Sequence, residues 1–263
     1  MNQPAIQIRG LTKHFNGIRA VEDLDFSVTE GTTTALLGGN GAGKTTTLSI
    51  LVGLLLPTRG EITLLGEDML RHRHRVLPYI NYSSPYLDLP HRLTVRQNLN
   101  VFAGLYGLPD RRGTLERLAG ELSLTAFMDR PYRELSAGQK TRVSLAKSLL
   151  NEPRVLLLDE PTASMDPDMA DFMRGYLMAY QKRTGATLLL ASHNMTEVER
   201  ICQDVIILRE GRKVAHGTPA GLIAQYGRRT LEDVFIHIAR TKEGPEGALE
   251  GDRVPTLHPE DSR

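Results

Sequence analysis

The stretch GGNGAGKT, which begins at Gly38, has the spacing G-x-x-x-x-G-K-[ST] that is typical of a phosphate-binding loop. Its glycines let the backbone turn tightly, so that successive N–H groups converge on phosphate oxygens. Lys44 is long enough to reach terminal phosphates, and the Thr45 hydroxyl is a ligand type that suits Mg²⁺. The residues predicted to contact the phosphates are Gly38, Gly39, Asn40, Gly41, Ala42, Gly43, Lys44, Thr45 and Thr46.

The neighbouring segments support this interpretation of the loop. The apolar run TALLG precedes it, and KTTTLSILVGLL follows with a helical apolar pattern at Leu48, Leu51, Val52 and Leu55. The positive end of that helix would face the same anion. A flexible glycine-rich turn is the alternative, but it does not require strand, loop and helix in this order. A dinucleotide fingerprint would need a glycine where Lys44 stands.

Acidic residues end a second apolar run, VLLLDE, as Asp159 and Glu160. Ligands of open parallel sheets bind outside the carboxyl ends of the strands, so we expect this pair beside the phosphate loop. Asp159 is predicted to hold Mg²⁺, directly or through water, and Glu160 to activate the attacking water as general base. The run TLLLASH ends in His193, which on its own is more often a structural residue. At a third strand end it becomes a candidate catalytic residue that hydrogen-bonds the γ-phosphate and the base.

The stretch LSAGQK (135–140) predicts the start of another helix. Ser136 and Gln139 have the spacing of a capping box, and an apolar stripe follows at helical spacing. Capping does not explain the small pair Ala137-Gly138, which leaves the helix start open to close approach. An unobstructed helix N-terminus is also an anion site, and both interpretations remain compatible with these residues.

The rest of the chain predicts the elements that position these side chains. AIQIRGLTKHF, DLDFSV and GEITLLGED alternate in polarity like half-buried antiparallel strands, whereas TALLG, VLLLDE and TLLLASH resemble strands of a buried parallel sheet. VIILREGRKVAHG predicts a hairpin that turns at Glu210-Gly211, and residues from about 86 to 150 have a helical pattern. The segment 241–263 is rich in Gly, Pro and charge, which predicts a disordered tail. The expected fold class is α/β, with a mostly parallel core sheet, an antiparallel β subdomain and a helical subdomain.

Composition excludes several functional classes. The 263 residues are 40% hydrophobic and 24% charged with a net charge of +1, which gives no strong electrostatic case for nucleic acid as the main partner. The single Cys202 cannot form an internal disulfide and is expected to be a small buried residue. The longest apolar run, ILVGLLL, is too short to span a membrane. RHRHR (71–75) is expected to be a solvated basic face.

The order GGNGAGKTT, LSAGQK, VLLLDE, SMD and SHN resembles the nucleotide-binding domain of ABC (ATP-binding cassette) transporters, over residues 4 to 240. The resemblance implies a P-loop NTPase that binds ATP and Mg²⁺, hydrolyses ATP and powers transport. It implies two partners: a second copy or a homologous cassette, and an integral membrane transporter subunit. No nucleic acid partner is expected. The implied location is peripheral, on the cytoplasmic face of the inner (plasma) membrane.

The same resemblance implies roles for further residues. The signature, Leu135, Ser136, Ala137, Gly138 and Gln139, would face the phosphates bound by the partner, with Ala137 where the family has Gly. Ser164 and Asp166 of SMD would lie in the loop that crosses the dimer interface. Phe15 matches the aromatic that stacks on adenine, and a core aromatic on the first strand is the alternative.

One segment departs from the family pattern. The family usually has a Gln where the core sheet passes into the helical subdomain, and there it contacts Mg²⁺ and the attacking water. Here the segment reads INYSSPYLDLP, and the aligned residue is Ser83, or Ser84 with a one-residue shift. Because serine is shorter than glutamine, we expect a bridging water at Ser83, slow basal hydrolysis and a gain in activity for Ser83→Gln. Ser84 or Tyr82 would be the alternative coupling residue.

The branch of the family and the extent of turnover have alternatives. TLEDVFIHIAR (230–240) resembles the closing segment of ATPases that export drugs, lipids or polysaccharides, although an amphipathic helix packed on the core explains it equally well. A non-transport ABC ATPase acting on nucleic acid or ribosomes is one alternative. Such proteins usually carry coiled-coil insertions or two cassettes. A nucleotide-gated module with little turnover is the other alternative, which the missing Gln favours.

Overall fold

The computed structural model describes residues 3–240 of the chain. Its strands are β1 (Pro4–Phe15), β2 (Ile18–Thr29), β3 (Thr33–Leu37), β4 (Arg59–Leu64), β5 (Glu67–Asp68), β6 (Ile80–Ser83), β7 (Val155–Asp159), β8 (Thr187–Ser192), β9 (Asp204–Arg209) and β10 (Arg212–Gly217). Its helices are α1 (Lys44–Leu51), α2 (Met69–Val76), α3 (Val95–Leu105), α4 (Arg111–Glu121), α5 (Ala137–Leu149), α6 (Pro167–Thr184), α7 (Met195–Ile201), α8 (Pro219–Gln225) and α9 (Leu231–Arg240). The predicted tail, 241–263, lies outside the described residues.

The core sheet has the strand order β10-β9-β3-β8-β7-β6. Its strands from β9 to β6 pair in parallel, and β10 pairs antiparallel with β9 at one edge. The three continuously apolar runs form β3, β7 and β8, which are buried along their whole length. Both faces of these strands are covered, which confirms the parallel sheet predicted from their lack of alternation.

The patterns did not predict β6, the edge strand beside β7. Its sequence, INYS, is short and half polar, which is typical of a loop. The buried side-chain amide of Asn81 in this strand is hydrogen-bonded, because its Nδ2 donates to Ser148 O of α5 at 2.7 Å. A polar residue in this strand is therefore stabilised by a partner on α5 that is distant in the sequence.

A second sheet, with the order β2-β1-β4-β5, is antiparallel as predicted. Alternate residues of the core strands point to opposite faces. On one face, Leu36, Leu157 and Leu189 pack with the antiparallel sheet and α1. On the other, Leu156 and Leu190 pack with the helical side of the molecule. Helix α1 consequently lies between the two sheets, which places the phosphate loop at their junction.

Helices α3, α4 and α5 lie within the segment predicted to be helical. The hairpin β9–β10 also has its predicted turn at Glu210 and Gly211, both with positive φ. Helix α9 is amphipathic, with Leu231, Val234 and Ile238 buried and Phe235 half-buried, as expected from its pattern. Helix α1 ends at Leu51, although the apolar pattern predicted a helix that continues to Leu55.

Two smaller predictions are also confirmed. RHRHR lies mostly within the exposed part of α2, where Arg71 pairs with Asp68 and Arg75 pairs with Glu67. Cys202 is buried. Within residues 3–240, no helix combines the length and the apolar character needed to span a membrane.

Candidate functional site

The phosphate loop joins β3 to α1 and is shaped by its glycines. Gly43 has a φ of 98°, and a Cβ there would lie 2.6 Å from Ala20 O, so only glycine fits. Gly38 has ordinary φ but equally little space, since its Cβ would lie 2.8 Å from Leu208 O. Helix α1 has no side-chain cap and no acidic residue in its first turn. Its first N–H groups are therefore directed into the loop without a competing carboxylate.

The Lys44 side chain is hydrogen-bonded to the backbone of the phosphate loop. Its Nζ donates to Gly38 O at 2.6 Å and to Gly39 O at 3.3 Å. Burial lowers the pKa of Lys44, and the nearby carboxylates of Glu160 and Asp159 oppose that shift. The ammonium group thus lies where a phosphate can exchange for backbone carbonyls as its partner.

Thr45 and Asp159, the two predicted metal ligands, are in contact. Thr45 Oγ1 donates to Asp159 Oδ2 at 3.0 Å, which joins the start of α1 to the end of β7. Burial raises the pKa of Asp159, against the hydrogen bonds from Thr45 and Tyr82 and the charge of Lys44. Tyr82, at the end of the edge strand β6, donates to the same Oδ2 at 3.2 Å.

Glu160 and His193 also come together as predicted. His193 Nδ1 lies 2.7 Å from Glu160 Oε1. Glu160 has a φ of 49°, and its N–H donates to Ala191 O at 2.9 Å. The backbone therefore continues the ladder between β7 and β8 while the carboxylate turns toward His193.

The signature segment opens α5 with the predicted capping box. Gln139 N donates to Ser136 Oγ at 3.2 Å, and Ser136 N donates to Gln139 Oε1 at 3.0 Å. Gly138 packs against the loop after β7, because a Cβ there would lie 2.9 Å from Ser164 O. Asp166 accepts from Met169 N and caps α6. The signature and the SMD loop are therefore adjacent within one chain.

Phe15 is 41% exposed, so it is not a core aromatic. It ends β1, and Lys13 Nζ lies 4.8 Å from its ring centroid. An exposed ring at this position is available for stacking, which leaves the adenine contact as the better interpretation.

Ser83 does not face the predicted magnesium site, contrary to the expectation from alignment. Its Oγ lies 3.2 Å from Ser144 Oγ of α5, and it is buried there. Successive residues of a strand point to opposite sides, so Tyr82 faces the phosphate loop while Ser83 faces α5. Ser84 Oγ accepts from Tyr86 N at 3.3 Å within the following turn.

Comparison with known proteins identifies the family. Residues 21–163, which include the phosphate loop, the signature and the pair Asp159-Glu160, match the family described as ABC transporter. The chain belongs to the ABC transporter family. It is an ATP-binding subunit that hydrolyses ATP.

Relatives of this ABC subunit carry an export description. The Nod factor export ATP-binding protein I of Ralstonia nicotianae is 38% identical over 224 residues, which cover 84% of this chain and 69% of that protein. The protein of the same name from Rhizobium sp. is 36% identical over 237 residues, covering 89% and 78%.

Solved structures confirm the ABC ATPase fold. The ATP-binding subunit of an ABC transporter superposes with a TM-score of 0.81 at 27% identity, covering 90% of this chain and 100% of that one. CbiO1 of Clostridium perfringens, part of the ABC transporter complex cbiONQ, has a TM-score of 0.74 at 29% identity, covering 84% and 91%.

One buried acid of this ABC ATPase was not among the predicted site residues. Glu197 Oε1 accepts from Thr162 Oγ1, and its Oε2 accepts from Ser192 Oγ, both at 2.9 Å. It therefore ties the loop after Glu160 to the strand end before His193. The sequence signal was weak, since TEVER resembles any exposed polar helix turn.

Proposed function

We propose that this ABC ATPase subunit drives export across a membrane, with each ATP held between its phosphate loop and the signature helix of a second cassette. The observation that carries the proposal is the meeting of Lys44, Thr45, Asp159, Glu160 and His193 at one edge of the core sheet. Phosphate contacts, a metal-ligand pair and a candidate base are all required for phosphoryl transfer to water, and they converge there.

The ligand chemistry fits Mg²⁺. Thr45 and Asp159 offer only oxygen donors, a hydroxyl and a carboxylate, and such a small protein set leaves room for phosphate and water oxygens. Mg²⁺ bound there would offset the charge that develops on the phosphate oxygens. Lys44, whose Nζ lies at Gly38 O, would contribute a further positive charge.

Hydrolysis is assigned to the Glu160–His193 pair. The Glu160 carboxylate takes a proton from water while the water oxygen forms the new bond to the γ-phosphorus. The bond to the β–γ bridging oxygen then breaks and leaves ADP. The His193 ring contacts Glu160 Oε1 through Nδ1, which leaves Nε2 on the other side of the ring for a phosphate oxygen. His193 thus orients the base and stabilises the transferred group.

A partner cassette completes the site. Helix α5 begins with small residues and an exposed capping box, and its start packs against the SMD loop after β7 of its own chain. We assign Leu135–Gln139 to phosphates bound by a second copy or a homologous cassette, with Ser164 and Asp166 in the interface. Phe15 is assigned to adenine stacking.

Export is supported by the relatives, which are named as export ATP-binding proteins. The membrane-spanning part would then be a separate integral membrane subunit, and this chain would lie peripherally on the cytoplasmic face of the plasma membrane. The net charge of +1 gives no support for a nucleic acid partner. The missing Gln bears on coupling and not on the residues that hold ATP.

Affinity purification of the full chain from detergent-solubilised membranes tests this proposal. We expect co-purification of a multi-spanning membrane protein and ATPase activity in that complex. Recovery with ribosomes or nucleoid instead would show a non-transport ABC ATPase. A membrane complex that binds ATP but releases no phosphate would show a nucleotide-gated module.

A further inference from the structure

Tyr82 makes a contact with the proposed metal site that the motifs do not account for. Its phenolic O–H donates to Asp159 Oδ2 at 3.2 Å, and Thr45 donates to the same oxygen at 3.0 Å. Two hydroxyl groups from different elements therefore orient one carboxylate. The phenolic O–H lies near the ring plane, so the Tyr82 ring fixes the direction from which Oδ2 is held.

The strand that carries Tyr82 is bound to α5 on its other side. Lys147 Nζ of α5 donates to Tyr82 O at 3.4 Å. The next residue, Ser83, contacts Ser144 of α5 at 3.2 Å. The preceding residue, Asn81, donates to Ser148 O of α5 at 2.7 Å. Each of three successive residues of β6 thus contacts α5, the helix that starts at the signature.

We infer that Tyr82 is a positioning residue that sets the orientation of Asp159 for divalent-cation binding and links it to the signature helix through β6. The inference rests on the proposed Mg²⁺ site at Thr45 and Asp159. Movement of α5 shifts β6 through Lys147 and Ser144, and Tyr82 transmits that shift to the carboxylate. The side chain acts through Asp159 and needs no contact with ATP.

The first experiment measures binding of a divalent cation to the full chain with Tyr82→Phe. Mn²⁺ replaces Mg²⁺ as the probe, and its binding in the presence of ATP is followed by electron paramagnetic resonance. Loss of an outer hydrogen-bond partner of a metal ligand costs about tenfold in metal affinity at the low end. We expect about that loss for Mn²⁺, with ATP affinity in EDTA unchanged.

Tyr106→Phe is the matched control. It removes the same atom from a half-buried tyrosine, whose O–H lies 3.2 Å from Asn81 Oδ1 on the same strand. The Tyr106 O–H donates to Asn81 and not to Asp159, so removing this hydroxyl should leave Mn²⁺ affinity unchanged. Equal Mn²⁺ affinity of Tyr82→Phe and the unmodified chain overturns the inference. Equal losses in both variants also overturn it, because they indicate a general loosening of β6.

The link to α5 is tested with Lys147→Met, which keeps most of the side-chain stem but removes the donor to Tyr82 O. We expect Lys147→Met alone to weaken Mn²⁺ binding. In a chain that already carries Tyr82→Phe, the same substitution should cause no further loss of Mn²⁺ affinity. Additive losses would show that Lys147 acts independently of Tyr82 and would overturn the link. An unmodified chain that binds ATP equally with and without Mn²⁺ would instead disprove the proposed metal site.

Discussion

His193 Nδ1 lies 2.7 Å from Glu160 Oε1, a contact that joins the ends of β8 and β7. Glu160 adopts a left-handed φ of 49°, which costs a non-glycine residue on the order of 1–3 kcal/mol. Its N–H is also bonded to Ala191 O of β8. The carboxylate is therefore held by backbone and side-chain contacts to the same neighbouring strand, as an oriented general base requires.

Glu160→Gln tests that role directly. The amide is similar in shape but cannot take a proton from water, so turnover should fall by ~10²–10⁴-fold. ATP binding should persist, because the phosphate contacts come from the loop at 38–46. Phosphate release and ATP titration measure the two properties. Glu116→Gln on the exposed face of α4 is the control, and wild-type turnover in Glu160→Gln would show that another group is the base.

Phe15→Ala should weaken ATP binding without reducing stability. A base stacked on an aromatic ring contributes on the order of 1–3 kcal/mol in nucleic-acid systems, which is the expected loss. Phe172→Ala is a matched control, since Phe172 is 42% exposed and Phe15 is 41% exposed. Titration with a fluorescent ATP analogue and thermal melts separate the effects. Unchanged affinity with a lowered melting temperature in Phe15→Ala would indicate a packing role.

Ser83→Gln should destabilise the protein and leave basal ATPase activity without the gain expected from alignment. Ser83 is buried against Ser144, so three additional side-chain heavy atoms must enter a packed region between β6 and α5. Overpacking of this kind costs about 1–3 kcal/mol. Ser83→Ala, which removes only the hydroxyl, should cost about 1 kcal/mol. Urea unfolding and ATPase assays measure both, and a faster basal rate in Ser83→Gln would contradict the observed orientation.

The parts of the site that sequence reasoning located share one property. Gly43, Lys44, Thr45, Asp159 and Glu160 are placed by local rules, since each stands at the end of a strongly apolar strand or at the start of a helix. Their side chains meet because the ends of parallel strands meet. Local sequence therefore determined both their identity and their position.

The contacts that sequence reasoning missed depend on long-range packing. β6 is half polar, so no periodicity marks it, and the sequence named Tyr82 only as an alternative to Ser83. The pairing of β6 with β7 decides that Tyr82 and not Ser83 faces Asp159. Glu197 lies in an ordinary polar helix turn, and its burial arises from Thr162 and Ser192, which are brought there by the fold. A shift of one residue in strand register turns every side chain of the strand to the opposite face. Alignment of a divergent segment does not fix the register to one residue.

Glu197→Gln should change how stability depends on pH. Burial raises the pKa of Glu197 above its ordinary 4.5, although hydrogen bonds from Thr162 and Ser192 oppose the shift. The folded protein then keeps the proton over a range where the unfolded chain has lost it. The stabilisation that protonated Glu197 contributes is present below pH 4.5. It is lost as the pH rises from there through the folded-state pKa of Glu197.

The glutamine cannot ionise, so the variant should become more stable relative to the unmodified chain as pH rises through that window. Urea unfolding at several pH values between about 4.5 and 8 measures the difference. Glu116→Gln, at an exposed position of α4, is the control for the same chemical change away from the buried site. If the free energies of unfolding of Glu197→Gln and the unmodified chain differ by the same amount at all pH values, the pKa of Glu197 is not raised.

Mixing two variants tests the head-to-tail pair of cassettes. Lys44→Ala removes a phosphate contact from one copy, and Ser136→Glu puts a negative charge at the signature of the other. Ser136 is the better position, because any side chain at Gly138 would meet Ser164 O of its own loop. Ser136→Glu removes the capping bond from Gln139 N, whereas the helix dipole favours the new negative charge at the exposed start of α5.

Each variant alone should have little ATPase activity, because in a head-to-tail homodimer both of its sites contain the lesion. In a mixed dimer, one site combines the phosphate loop of the Lys44→Ala copy with the Ser136→Glu signature, and the other site is intact. If one intact site suffices for turnover, mixing should restore a measurable part of the activity. Cross-linking in ATP should detect the mixed pair. Mixed pairs without activity would show that both sites must be intact, whereas no mixed pair in ATP would contradict the arrangement in which the signature of one copy faces the phosphates of the other.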